Sequence, residues 1–351
     1  MLLPSGRKCG PRHGCQGPRG RHPARGSPWS MTRTPSPLPP GLGDVFRVGR
    51  ALDEGATSRR LRASDLEAPF HGVRRIPASP SPEDHDPLAQ DRATFRRVLR
   101  DARAYAEVMP AGAFFVGRTA AILHGLPLEP GAALEVGVRA PSRAPRAAGV
   151  HGVKVAGQLV STGSCAGVPV TSPASTWAML GRDLTVRQLV VVGDAIVRVP
   201  RGRSGIPMPE ARLATVAQLA AAAHAGSRRG SARLREALEL VRPGSMSPLE
   251  TEFRLDAAAA GLPAPELDGE IRDARGRLLG ISEFVYRPWR VVVEVEGDHH
   301  RTSRAQWHRD LDKYAAYAAE GWEVVRVTSR HIRSGSAVRL LRDALARRAA
   351  T

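Results

Sequence analysis

At 351 residues the chain is long enough for two or three domains with ample cores, and its 42% hydrophobic content makes most of it globular. No stretch approaches 18 uninterrupted apolar residues, which argues against a membrane span. The formal net charge is +18, yet residues 244–351 hold 17 Lys and Arg against 16 Asp and Glu, so nearly all the excess lies upstream. A basic front and a near-neutral, acid-rich back suit a protein that holds a polyanion with one part and binds a metal with another.

Residues 1–30 are rich in Gly, Pro and Arg, without acids or periodicity, and are expected to be a disordered extension. Cys9, His13, Cys15 and His22 match no familiar zinc spacing, and with Cys165 the three cysteines make no disulfide framework, so cytoplasm is the default compartment. The start lacks an apolar signal-peptide core, and Met31 reads as the native start. Asp44–Glu54 has helical spacing and stops at Gly55. Thr57 and Ser58 then cap a second short helix, RRLRASDL, before a turn into a strand near Val73. Helix, tight turn, basic helix and strand are the parts of a winged helix-turn-helix over residues 31–77, with Arg59, Arg60 and Arg62 facing DNA and Arg74 and Arg75 on the wing. The alternative is an Arg-rich solvated helix face.

Residues 78–90 read as a linker from their Pro, Ser and Asp content. An α/β middle region, 91–243, follows. It should hold a helix over Thr94–Val108, strands at Phe114–Val116, Leu134–Arg139, Val150–Val155 and Val168–Val170, and a short helix from Thr119 to His124. Ser172 followed by Pro173 starts a helix running to Leu180, a hydroxyl cap with Pro at the first position. Leu189–Val199 is apolar enough for a buried helix or strand, and periodicity does not choose between them. Thr215–Ala225 and Ser231–Val241 form a helical pair whose Arg228, Arg229, Arg233 and Arg235 make a basic patch suited to phosphates or simply to solvent. His124 and Asp194 invite a catalytic reading but are expected to be structural.

Ser247-Pro248-Leu249-Glu250 opens the last domain, 244–351, with capping-box spacing. Ser247 is the N-cap and Glu250 sits at the third helical position, where capping is expected. Val291–Val293 are β-branched and read as a strand, so Glu294 and Glu296 share a face. The break Arg287-Pro288-Trp289 folds Leu278–Tyr286 back on that strand as a hairpin. If the fold centres between Pro288 and Trp289, Glu283 lies opposite Glu294. Opposed like charges are destabilising without a counter-charge, so this face is either solvated or asks for a hard cation such as Mg²⁺ or Mn²⁺. Helices over Thr302–Glu320 and Ala337–Arg348 and a strand over Trp322–Val327 complete the order helix, three strands, helix, strand, helix, the restriction-endonuclease-like core. His299 and His300 follow the acidic strand, and at most one of them is expected in the site.

These residues also carry a resemblance. Glu283-Phe284, the run Glu294 to His300, Asp310, Lys313 and Gly321 to Arg326 resemble the nuclease-like "domain of unknown function 559", a relative of very-short-patch-repair endonucleases in the PD-(D/E)xK superfamily. The resemblance covers about the last 105 residues and implies a metal-dependent DNA endonuclease. It places Glu283 at the first acid and Glu294 at the acid ending the next strand. Resemblance to nucleases that place an acid on the first helix near the metal implies a second role for Glu250, orienting a metal-bound water. Glu296 falls where the superfamily usually has Lys, leaving the general base open; His300, Asp310 and Lys313 fall on matching polar positions. Residues 31–77 and the middle region resemble AbiEi-type antitoxin proteins. Together these imply an α/β multi-domain chain whose partner is DNA, with Mg²⁺ or Mn²⁺ as cofactor and with a toxin partner open. A DNA-binding regulator or antitoxin with a catalytically silent nuclease-like domain is the alternative.

Overall fold

A computed structural model of the protein describes residues 35–79, 89–202, 204–296 and 304–350, with side chains from Arg309 onward in the last segment. The expected extension, most of the linker and both His299 and His300 lie outside the described residues. What is described is a mixed α/β chain built round three sheets.

Near the N-terminus β1 (Val45–Arg47) pairs antiparallel with β2 (Val73–Arg75), and α1 (Val48–Asp53) follows β1 directly. The helix expected over Asp44–Glu54 therefore begins late. Phe46, near its start, is fully buried opposite Arg74, and that distant pairing outweighs local helical spacing. The second helix shrinks to a 3₁₀ turn, Arg60–Arg62. Arg60 grips Asp65 with both terminal nitrogens at 2.9 and 2.8 Å, and Ala63 is already extended.

The middle region begins with α2 (Ala89–Ala106), β3 (Phe114–Phe115), α3 (Gly117–Leu123), β4 (Leu134–Arg139), β5 (Val150–Val155), β6 (Thr162–Cys165) and β7 (Val168–Thr171). Its sheet runs β5-β4-β3-β7-β6, with β4–β5 and β3–β7 parallel and the other two pairs antiparallel. The ends of β4 and β5 match the sequence expectation. β6, Thr-Gly-Ser-Cys, lacks an apolar pattern and owes its place to β7. Then come α4 (Pro173–Leu180), α5 (Val186–Val197), α6 (Val216–His224) and α7 (Ser231–Leu240). Ser172 caps α4 as expected by accepting from the Ser175 amide. The ambiguous apolar run is helical because Thr185 and Gln188 form a reciprocal cap ahead of it. Trp177 and Leu189 centre the core of this helical group, and the Trp177 indole donates to the Leu189 carbonyl at 2.8 Å.

The C-terminal part comprises α8 (Pro248–Ala259), β8 (Glu266–Arg272), β9 (Leu278–Tyr286), β10 (Val291–Glu296), α9 (Arg304–Ala319), β11 (Glu323–Thr328), α10 (Ser329–Arg333) and α11 (Ser336–Ala349). Its sheet order is β11-β10-β9-β8, an antiparallel meander to which β11 adds in parallel. A parallel neighbour needs a crossover, and α9 supplies it. Alternation on β10 sends Val291, Val293 and Val295 into a core with Phe253 of α8 and Leu341 of α11. Val292 faces the other way, to Val285, Ile271 and Tyr317 of α9.

A polar stripe along α5 and the segment after it joins the middle region to this sheet. Arg187 pairs with Asp256 at 2.7 Å, Arg198 donates to the Met246 carbonyl, and Arg201 pairs with Asp268 at 2.7 Å. Between them Asp194, 1% exposed, accepts from Arg254 at 2.7 Å, Thr251 at 2.8 Å and the Arg242 amide at 2.7 Å. The aspartate is thus a structural hub. Removing one partner of a buried pair strands the other charge, so Asp194→Ala should cost about 3–5 kcal/mol, while Arg59→Ala on the exposed turn should stay within about 0.5 kcal/mol. Urea denaturation of the two variants checks the contrast.

Candidate active site

The hairpin register is the one expected from its turn. Val291 pairs with Tyr286, Val292 with Val285 and Val293 with Phe284, so Glu294 and Glu283 come next in line. Regular pairing ends just before them, and the Glu283 carboxylate accepts from the Val295 amide instead. Glu294, 7% exposed, lies on the α9 side of the sheet. Its Oε1 accepts from Ser282 Oγ at 2.7 Å and from Lys313 Nζ at 2.8 Å. Lys313 also donates to the Ile281 carbonyl at 3.1 Å, and Ser282 donates to the Tyr317 hydroxyl at 3.1 Å.

α9 delivers Lys313 and Tyr317 together because residues four apart share a helix face. The approach is close enough to require a glycine beneath it. A Cβ on Gly280 would lie 2.6 Å from the Tyr317 oxygen and 2.8 Å from Lys313 Cδ. α8 brings Glu250 from the other side. Ser247 caps the helix by accepting from the Glu250 amide, as expected, but the Glu250 carboxylate reaches back to the Met246 amide at 2.7 Å rather than to the Ser247 amide, so the reciprocal half of the box goes one residue upstream.

The electrostatics show how tightly the acids gather. Burial, followed by the charges of Glu250 and Glu294, pushes the Glu283 carboxyl up to about 9, with the Val295 amide and Lys313 opposing. Burial likewise raises Glu250, with the Met246 and Ser247 hydrogen bonds opposing and the charges of Asp268 and Glu294 adding. Burial raises Asp268 against its Arg201 partner. Tyr317 rises to about 12 through burial, opposed by its Ser282 bond. The charges of Glu250, Glu294 and Lys313 thus all bear on Glu283.

The remaining sequence candidates divide clearly. Glu296 is half-buried and ion-paired with Arg326, whose guanidinium stacks over Tyr314 at 5.6 Å, so it is drawn to β11 rather than to the other acids. Asp310 lies one turn before Tyr314, and its charge adds to the burial that raises that phenol. His300 lies outside the described residues. Of the five arginines expected to face DNA, only Arg59 and Arg62 are exposed. Arg60 is committed to Asp65, Arg74 to the Leu61 and Val73 carbonyls, and Arg75 to Glu67 and Asp101. These three have internal partners, as a partly buried guanidinium must satisfy its donors nearby. In the α6–α7 patch Arg233 likewise serves the Leu184 and Arg182 carbonyls and Arg228 the Leu159 carbonyl. His124 sits against the Thr171 carbonyl at 2.8 Å, and burial lowers it towards the neutral form, the structural role expected.

Sequence reasoning did not single out Ser282, Tyr317 or Asp268, and it gave Lys313 only a matching position. The signal available for Tyr317 was its i,i+4 spacing from Lys313. Hard carboxylate oxygens suit Mg²⁺ or Mn²⁺. Among the described residues, however, no group of three His, Cys, Asp or Glu side chains is disposed to hold a metal ion. No helix among them is long and apolar enough to cross a membrane.

No family model matches the chain. It is similar to two curated Mycobacterium tuberculosis proteins, the uncharacterized proteins MT2308 of strain CDC 1551 and Rv2248 of strain H37Rv, each 28% identical over 164 residues. The match takes in 46% of this chain and 56% of each relative, so the chain spans about half the length of those relatives. Among solved structures, that of the RV2827C protein from M. tuberculosis aligns over 65% of this chain and 83% of its own, at 15% identity and a TM-score of 0.32.

A carboxyl raised from 4.5 to about 9 binds its proton in the folded state and releases it on unfolding, so it costs stability as pH rises through that window. Glu283→Gln keeps an acceptor for the Val295 amide and removes the titration. Its melting temperature should exceed that of the parent by more at pH 8.5 than at pH 5, which differential scanning fluorimetry reads directly.

Proposed function

We propose that the C-terminal part is a metal-dependent DNA endonuclease, related to the nuclease-like family that its motifs resemble. One observation carries the reading. Lys313 Nζ stands 2.8 Å from Glu294 with Glu283 and Glu250 alongside, at the end of a helix–meander–helix–strand core. Lys313 is the sole lysine after Lys154 in a chain otherwise supplied with arginine, so a compact ammonium has been kept at this one position. It also answers the departure at Glu296: the amine that β10 lacks arrives from α9.

Glu283 and Glu294 would hold the cation, which supplies Lewis-acid stabilisation of charge on a scissile phosphate when bound. Lys313 adds a positive hydrogen-bond donor beside that phosphate, fixed in place by the Ile281 carbonyl and needing no reorganisation. Glu250, on a capped helix, would orient water at the same end, and His300 and Asp310 are the further polar residues that the family resemblance implies. The basic residues upstream, Arg59 and Arg62 among them, hold DNA through its phosphates.

A specific observation favours a second reading. The described residues contain no three-ligand metal group, and Glu294 and Glu296 already have cationic partners. This fits a DNA-binding regulator or antitoxin whose nuclease-like fold is a scaffold.

Purified protein incubated with plasmid and Mn²⁺ separates the two. The first reading expects nicking that EDTA abolishes and that Glu294→Ala and Lys313→Ala each reduce at least about 100-fold, the scale of losing one preorganised charge-stabilising group. Salt-sensitive binding without cleavage, unchanged by EDTA and weakened by Arg59→Ala with Arg62→Ala, would establish the scaffold instead.

A further inference from the structure

The acidic site sits where the β8–β9 ladder is interrupted. Leu267 pairs with Phe284 and Gly269 with Ser282, but the pair between them, Asp268 with Glu283, is not made. Both strands are irregular there. Asp268 is left-handed, with φ of 52°, one of three described non-glycine residues with positive φ. On β9, Ser282 and Val285 both reach Tyr317 on the α9 side while Phe284 enters the opposite core, so strict alternation breaks at Glu283. A non-glycine residue holds a left-handed conformation inside a strand only when its surroundings enforce it.

The enforcing group comes from the middle region. Arg201 spends its whole guanidinium on this place: Nε donates to Asp268 Oδ2 at 2.7 Å, one terminal nitrogen donates to the Asp268 carbonyl at 2.9 Å, and the other donates to the Gly205 carbonyl at 2.6 Å. Both partners are largely buried, at 17% and 21% side-chain exposure. A lysine has one nitrogen and cannot make this fork. The Gly205 contact ties the arginine to its own turn, which Arg201 closes by bridging to Pro207.

We propose that Arg201 is a positioning residue for Glu283. By holding the Asp268 carbonyl and carboxylate, it keeps the ladder open opposite Glu283, so that the Glu283 side chain turns to the Val295 amide and joins Glu250 and Glu294. The inference rests on the cation-binding reading of that cluster and adds that the C-terminal site is completed by a residue outside the C-terminal part.

The test uses the full chain and Mn²⁺ alone, with affinity read by electron paramagnetic resonance and the conformation of residue 268 read from its backbone ¹³C shifts. Arg201→Ala should move residue 268 out of the left-handed region and weaken Mn²⁺ binding about 10- to 100-fold, the usual effect of losing a group that orients a metal ligand. Arg201→Lys, which keeps the charge without the fork, should fall between. Glycine adopts positive φ without a partner, so Arg201→Ala combined with Asp268→Gly should recover most of the affinity lost in Arg201→Ala. A merely structural arginine would not be rescued by that second change. Parent-like shifts and affinity in Arg201→Ala, or absent recovery in the double variant, would each overturn the proposal. If the parent binds no Mn²⁺ while the shifts move as expected, the cation reading falls and the positioning role stands.

Discussion

The contact between Lys313 and Glu294 is the interaction on which the C-terminal structure turns. Glu294 is one of five consecutive buried residues on its strand, where an unpaired carboxylate would be costly to desolvate. One ammonium, one hydroxyl and the backbone amides of Val295 and Met246 divide the work of satisfying three carboxyl groups. Burial, followed by the charges of Glu250 and Glu294, raises the proton affinity of Glu283.

That arrangement places demands on its neighbours. Gly280 has no side chain because Lys313 and Tyr317 lie where one would be. α8 must end its approach at Glu250, and the buried Asp194 hub holds it there through Thr251 and Arg254, the residues just after Glu250. β8 must break its pairing at Asp268, and Arg201 bridges that break. Two of these supports come from the middle region, which packs with the C-terminal part in one compact unit from Leu38 onward.

The basic character of the front part looks different once partners are counted. Arg60, Arg74, Arg75, Arg201 and Arg233 all serve internal carboxylates or carbonyls. In a chain with so few lysines, arginine does the work of capping, bridging and bracing that other proteins spread over several residue types. Net charge alone therefore overstates the surface available to a polyanion, and the exposed Arg59 and Arg62 are better guides than the total.

Much of the C-terminal part was legible in the sequence because its signals are local. Three β-branched residues, a short break containing proline and a Ser-x-x-Glu spacing define strand, turn and cap within a few residues, and the period of two fixed the register that brings Glu283 in line with Glu294. The same holds for Ser172-Pro173 ahead of α4. What stayed hidden depends on partners far along the chain. Phe46 becomes a strand residue because Arg74 pairs with it, β6 exists because β7 is beside it, and a basic octapeptide collapses to one turn because Asp65 captures Arg60. Composition and spacing determined which acids would meet on neighbouring strands. Only the tertiary structure decided that a lysine 19 residues beyond Glu294 and an arginine 67 residues before Asp268 would attend them, since the desolvation of a carboxylate is felt through space and leaves no local mark in the sequence.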